Sequence, residues 1–354
     1  MKLGLGLYSE SLTDENLRFA NQCGATHIVA QLVNYIKGSN PKVARGNLDG
    51  WGETYNQDKL WTLDQLVSLR KKIEGHGLTL EAIENFDPSH WYDILLDGPL
   101  KVKQTENLKQ LIRNMGRAGI PVMGYYFSLA GVWGWTTAPV GRGQSNSILF
   151  DTDQIDVDAK IPEGMVWNMT YAQKNGKFLP TITREELWSR LDYFLQNMLP
   201  IAEEEGVKLV AHPDDPPLPY LRNNPRLFYN TVEYEKLLTK YPSKANGFEF
   251  CMGTVQEMQD SDVYQMLDKY SANDRIGYIH FRNVVGKVPL YREAFVDEGD
   301  IDMVKALKIL KNNHYEGVLI PDHTPEMSCD APWHAGMAFA LGYMKGAIQS
   351  LNSF

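Results

Sequence analysis

Hydrophobic positions along the chain follow two alternating patterns. Short runs crowded with β-branched and other apolar residues, at 3–8, 27–32, 79–84, 121–127, 208–212, 248–251, 276–281 and 318–322, read as buried strands. Between them apolar residues recur at helical spacing over 14–23, 63–74, 102–117, 184–205, 232–240, 256–270 and 301–311, and a last helix runs over 333–349. Several junctions share one punctuation, a glycine between helix and strand, as in CGATHIV, HGLTLEA, AGIPVMG, EGVKLVA and EGVLIPD. Glycine there supplies the left-handed cap that stops a helix before a short connection.

Eight strands alternating with eight helices predict an α/β fold, a closed parallel (β/α)8 TIM barrel, over the open doubly wound sheet that the same alternation also permits. Two long insertions interrupt it, at 34–60 after the second strand and at 128–183 after the fourth. Both follow strand C-termini, so both are expected over the catalytic face, as substrate walls or as subunit-contact surface. No linker divides the chain, and 1–354 reads as a single domain.

Composition narrows the function. Apolar residues make up 43% of the 354, enough for one large core, and the net charge is −9 without a basic stripe, which argues against nucleic acid as a partner. No apolar run approaches a membrane span, the N-terminal residues do not read as a secretion signal, and Cys23, Cys251 and Cys329 form no disulfide framework. The expectation is a cytoplasmic protein with reduced thiols and no membrane partner, assembling as a homo-oligomer.

Candidate chemistry gathers at strand ends. LVAHPDDPP, FEFCMGT, YIHFRN and LIPDH place His212, Cys251, His280 and Asp322 at the ends of strands five to eight, each about one strand–helix unit from the last. Alternation along a strand then turns Val210, Tyr278, Val318 and Ile320 into the barrel below them. It also turns Glu249 inward, where a carboxylate needs a partner or a proton. Taken singly, a buried Cys is usually packing and a His before Pro is usually a capping group. Together, two imidazoles, a thiolate and a carboxylate suit a divalent transition metal, and the soft thiolate favours Zn2+ or Fe2+ over Mn2+.

At these residues the sequence resembles the mannonate dehydratase family. HPDDPP at 212–217, NGFEFCMGT at 246–254, YIHFRN at 278–283, REAFVDEGDIDM at 292–303 and PDH at 321–323 carry the resemblance. It implies a barrel, a sugar-acid substrate, and Mn2+ or Fe2+ held by His212, Cys251, His280 and Asp322. It further implies dehydration of D-mannonate to 2-keto-3-deoxy-D-gluconate in hexuronate catabolism. The N-terminal half departs from the family: GLGLYSES stands for a Trp/Tyr-Gly-Pro segment, and AQL at 30–32 for Ala-Leu-His. A family tyrosine beyond the last strand has His334 or Trp333 nearest to it, and Glu249 replaces a small residue.

Such a dehydration needs a base for the C2 proton and an acid for the departing C3 hydroxide. His323 is the first candidate, provided the strand has ended by Asp322; its rival role is to support the loop. His334 or Tyr8 is the second carrier. Arg282 would clamp the substrate carboxylate or else pair with Asp214, Asp215 or Glu293. Asn283 and Glu293 are weaker substrate-binding candidates. Trp135, like Trp133, closes the pocket or packs the insertion. Asp214 and Asp215 organise their loop. The alternatives are a metal-dependent isomerase, epimerase or lyase for another sugar, which Glu84 at the third strand end would suit, and a non-catalytic sugar- or metal-binding protein.

Overall fold

The computed structural model describes residues 1–33, 52–54, 59–173 and 175–352. Eight parallel strands close into a barrel: β1 (Lys2–Tyr8), β2 (His27–Gln31), β3 (Thr79–Ile83), β4 (Val122–Tyr125), β5 (Lys208–Ala211), β6 (Asn246–Cys251), β7 (Ile276–His280) and β8 (Val318–Ile320). Each pairs with its neighbours in sequence, and β8 returns to β1. Val29, Ala82, Val122, Val210, Tyr278, Val318 and Ile320 form one buried cluster. These are the inward positions of strands β2 to β5, β7 and β8, so the alternation expected from sequence holds.

Several strands end earlier than their apolar runs. β5 stops at Ala211 and β8 at Ile320. Proline follows closely in both, Pro213 and Pro321, and cannot donate to the ladder. His212, Asp322 and His323 therefore sit on backbone free to turn over the barrel mouth.

The outer helices are α1 (Asp14–Gln22), α2 (Leu63–Glu74), α3 (Pro88–Leu96), α4 (Lys101–Arg117), α5 (Arg184–Glu205), α6 (Thr231–Lys240), α7 (Met252–Glu257), α8 (Val263–Ala272), α9 (Met303–Asn312) and α10 (Pro332–Asn352). The helix expected over 256–270 is two, α7 and α8. Asp262 separates them, its carboxylate accepting from the amides of Tyr264 and Gln265 to start α8. Helix α3 was not expected. Its signal was local: Asp87 caps it and Pro88 opens it.

The 128–183 insertion lies over the barrel mouth. Its strands Thr136–Ala138 and Ser147–Asp151 join a hairpin that follows β7, Asn283–Lys287 and Leu290–Ala294, in one four-stranded antiparallel sheet. Sequence patterning missed this hairpin. Of the 34–60 insertion, Gly52–Glu53 pairs with Met169–Thr170; the rest of it lies largely outside the described residues. No helix among those described is long and apolar enough to cross a membrane.

Candidate metal centre

β5 delivers His212, whose Nδ1 lies 2.6 Å from the Pro213 carbonyl. That contact takes Nδ1 as donor and leaves Nε2 for the barrel mouth. Cys251 and His280 are direct partners in the β6–β7 register, so their side chains stand side by side. Donor atoms of His212, Cys251 and His280 all fall within 4.8 Å of one another. Asp322 joins through His280: its Oδ2 is 3.2 Å from His280 Nδ1. The aspartate adopts a left-handed backbone, φ +64°, which swings it and His323 together toward the mouth. A second close set shares the same imidazole, Glu84, Glu249 and His280. Here Glu249 Oε1 is 3.1 Å and Glu84 Oε2 3.3 Å from His280 Nε2.

The surroundings favour anions at the donors. Burial alone would push the Cys251 thiol up, but Arg282 and hydrogen bonds with His212 and His280 outweigh it and hold the thiol well below its usual range. Thr254 Oγ1 also reaches the sulfur, at 3.1 Å. Asp322 is held far below the ordinary carboxylate range: burial opposes ionisation, and His280 and His323 more than compensate. His323 rises to about 9 despite burial, because Asp322 and Glu293 face it. Glu249 is pushed up by burial and by Glu84.

Above these groups lies a cavity floored by Tyr8, Glu84, His212, His280, Asp322 and His323, with Val132, Trp135 and Trp167 of the insertion over it. Trp135 anchors its indole on Tyr291, Nε1 to Oη 2.8 Å, and meets His323 edge to face. Tyr291 in turn donates to Asp215.

The structure gathers Tyr8, His323 and Trp135 at the cavity with His212, His280 and Asp322, keeps Cys251 buried beside His280, and moves other expected residues off it. His334 is one correction. Its Nε2 is 3.0 Å from Asn16 of α1, and its ring packs on Phe19 and Trp333; the apolar face of α10 decides its position. Arg282 is another. Its fork is already filled, by Asp215 at 2.6 Å, Glu257 at 2.8 Å and Thr254 at 2.9 Å, with Nε 3.3 Å from Cys251 Sγ. The salt-bridge role wins, and Arg282 is not among the residues lining the cavity. Asn283 spends its amide on the backbone of Val284 and Ile301. Glu293 does not line the cavity; it grips His323 Nδ1. Asp214 organises the loop as expected, with Arg226 and the amides of Leu227 and Phe228; Asp215 instead lines the cavity and accepts from Arg282, Thr254 and Tyr291. Gln31 and Trp167 were missed. For Gln31 the signal was there, since it ends β2 in phase with Val29.

The model of the family described as D-mannonate dehydratase (UxuA) matches residues 13–354. The chain belongs to the mannonate dehydratase family. A mannonate dehydratase of Streptococcus suis (strain 05ZYH33) is 33% identical over 276 residues, 74% of each chain. That of Oceanobacillus iheyensis is 31% identical over 315 residues, 83% of this chain and 87% of its own. The crystal structure of mannonate dehydratase from Streptococcus suis serotype 2 superposes with a TM-score of 0.76 at 27% identity, covering 99% of this chain and 94% of that one. Membership carries a metal requirement, and the donors of this mannonate dehydratase family member fit it: a buried thiol and two imidazoles converge, with the Asp322 carboxylate against one imidazole, in a set a divalent cation would satisfy.

Proposed function

We propose that this chain dehydrates D-mannonate to 2-keto-3-deoxy-D-gluconate, with Mn2+ or Fe2+ on His212, Cys251, His280 and Asp322. The observation that carries the reading is the convergence of His212, Cys251 and His280 beneath a cavity that also holds His323 and Tyr8. Family membership favours Mn2+ or Fe2+ over the Zn2+ that the thiolate would also accept. When bound, the cation stabilises negative charge developing on the substrate's carboxylate end.

The chain's own residues supply the rest. His323 is fixed by Glu293 at Nδ1, so Nε2 is the atom that holds or passes a proton at the cavity. Tyr8 presents a buried hydroxyl on the same floor. Burial, Asp322 and Glu84 all raise its pKa, so it stays protonated. Loss of water from the sugar acid requires one group to take the C2 proton and another to protonate the leaving C3 hydroxyl. Tyr8, kept protonated, serves the second task, and His323 the first, acting from its unprotonated form. Trp135 and Trp167 cover the cavity and exclude bulk water.

The test is metal analysis followed by an assay of D-mannonate, scoring the 2-keto-3-deoxy product. Turnover only of aldoses or ketoses would replace the reading with an isomerase or epimerase. His323→Asn is expected to lower kcat by about 10²–10⁴ with metal content unchanged. His334→Ala, off the cavity, is expected to stay within about twofold of wild type. Equal losses in both variants would remove His323 from the chemistry.

A further inference from the structure

Trp167 stands on a backbone that its side chain disfavours. Met165–Val166 and Met169–Thr170 pair as a two-residue hairpin, Val166 opposite Met169, with Trp167 and Asn168 at the tip. Both tip residues have positive φ, +64° and +61°. Left-handed backbone at both central positions is the type I′ geometry, which favours Asn-Gly. Asparagine tolerates that region; a bulky indole at the first position is strained.

The surroundings fix the tip. The Trp167 amide donates to the Leu129 carbonyl at 2.8 Å. Asn168 Nδ2 donates to the Val132 carbonyl at 3.1 Å, and Arg222 donates to Asn168 Oδ1 at 3.4 Å. Gly131, itself at φ +66°, lets the two segments touch: a Cβ there would stand 2.5 Å from the Trp167 carbonyl carbon. Strain of this kind persists only where the surroundings over-determine it, and it clusters around bound ligands. Here the clamped residue is a wall of the cavity at the metal centre. That cavity is two-sided in polarity. Glu84, His212, His280, Asp322 and His323 line its floor, and Val132, Trp135 and Trp167 lie over them. Trp135 stands beside His323. Trp167 stands elsewhere, against Tyr126 with ring centroids 5.8 Å apart, and Tyr126 packs in turn on His212.

We propose that Trp167 is a substrate-binding residue that determines specificity, its indole packing on the C–H groups of a sugar acid's carbon chain while the carboxylate and hydroxyls turn to the polar floor. This rests on the cavity being the site of a sugar-acid dehydratase. Such packing binds ground state and transition state alike, so it sets KM rather than kcat. The strained hairpin is what holds the indole at that wall.

The experiment compares the metal-loaded wild type, Trp167→Asn and Trp167→Phe in steady-state turnover of D-mannonate. Calorimetry then measures D-mannonate binding to the same variants in a His323→Asn background, where turnover is slow. Trp167→Asn puts the turn's favoured residue at the tip and removes the indole; Trp167→Phe keeps an aromatic face. Trp167→Asn is expected to raise both KM and the calorimetric Kd at least about tenfold, with kcat within about threefold and metal per chain unchanged. Trp167→Phe is expected to stay within about threefold of wild type throughout. A KM within about twofold of wild type in Trp167→Asn would overturn the assignment. So would a loss confined to kcat or Tm with KM unmoved, which marks a packing role. Should Trp167→Asn fail to fold, Trp167→Leu carries the same thresholds. If wild type leaves D-mannonate untouched, the proposed reaction falls, and Trp167 is judged by the same variants on the sugar that wild type does turn over.

Discussion

Cys251→Ala folds, loses its cation on purification, and turns over D-mannonate at least about 10³-fold more slowly. The side chain is small, so its removal leaves little cavity, and the fold should lose only about 1–2 kcal/mol. The chemistry has no substitute. His212 and His280 would remain, but among the described residues the sulfur lies in the one close donor set that contains both imidazoles. It is also prepared as an anion, by Arg282 and the two histidines against the effect of burial. Cys251→Ser sharpens the test, because a hydroxyl matches the size and cannot ionise near neutral pH. Metal content per chain, measured before and after dialysis, checks the first half, and product formation the second. Full metal retention in the alanine variant would remove Cys251 from the donor set.

Arg282→Met is expected to be the most destabilising single change at the site. The guanidinium is fully buried and contacts Asp215, Glu257 and Cys251 directly. Removing it strands two acids and a thiolate in the interior. Breaking a buried pair in this way costs about 3–5 kcal/mol, which lowers Tm by on the order of 5–10 °C in a domain of this size. There is a second signature. Arg282 is the largest influence holding the Cys251 thiol down, and without it the thiol pKa rises. A thiol must lose its proton to bind metal. Uptake of Mn2+ by the variant should therefore need higher pH than in wild type. Arg282→Lys keeps the charge but not the fork, and should fall between the two in both measurements. A variant with normal Tm and an unshifted pH profile for uptake would mean that Arg282 does not organise the centre.

The sequence was informative where function rides on local pattern. Alternation along β5, β7 and β8 was enough to send Val210, Tyr278 and Ile320 inward and to put His212 and His280 at the mouth, while Asp322 arrives there on a left-handed backbone beyond the end of β8. Thr324 and Pro325 suggested that the chain leaves the ladder near His323; the strand ends earlier, at Ile320 before Pro321, and His323 lines the cavity. Pattern gave out where partners come from distant segments. Arg282 reads equally as a substrate clamp or a structural ion, and only Asp215 and Glu257, 67 and 25 residues away, decide it. His334 sits near a family tyrosine in sequence, yet Phe19 and Asn16 of α1 draw it away. The hairpin after β7 gains its stability by pairing with Ser147–Asp151, a contact no local window contains. Glu249 looked like an anomaly for the same reason: its neighbours His280 and His212 belong to other strands.

The backbone at Asp322 limits how this centre can change over evolution. At φ +64° a side chain with a Cβ is strained, and aspartate and asparagine tolerate that region better than most residues. Mutational drift at this position is therefore narrow. Glutamate, a competent ligand in principle, would carry a conformational penalty on the order of 1 kcal/mol before any coordination was tried. Positions 212, 251 and 280 are in or beside ordinary extended strand and face no such filter. New ligand chemistries in descendants of this chain should accordingly enter through the fifth, sixth and seventh strands, while the eighth keeps its aspartate.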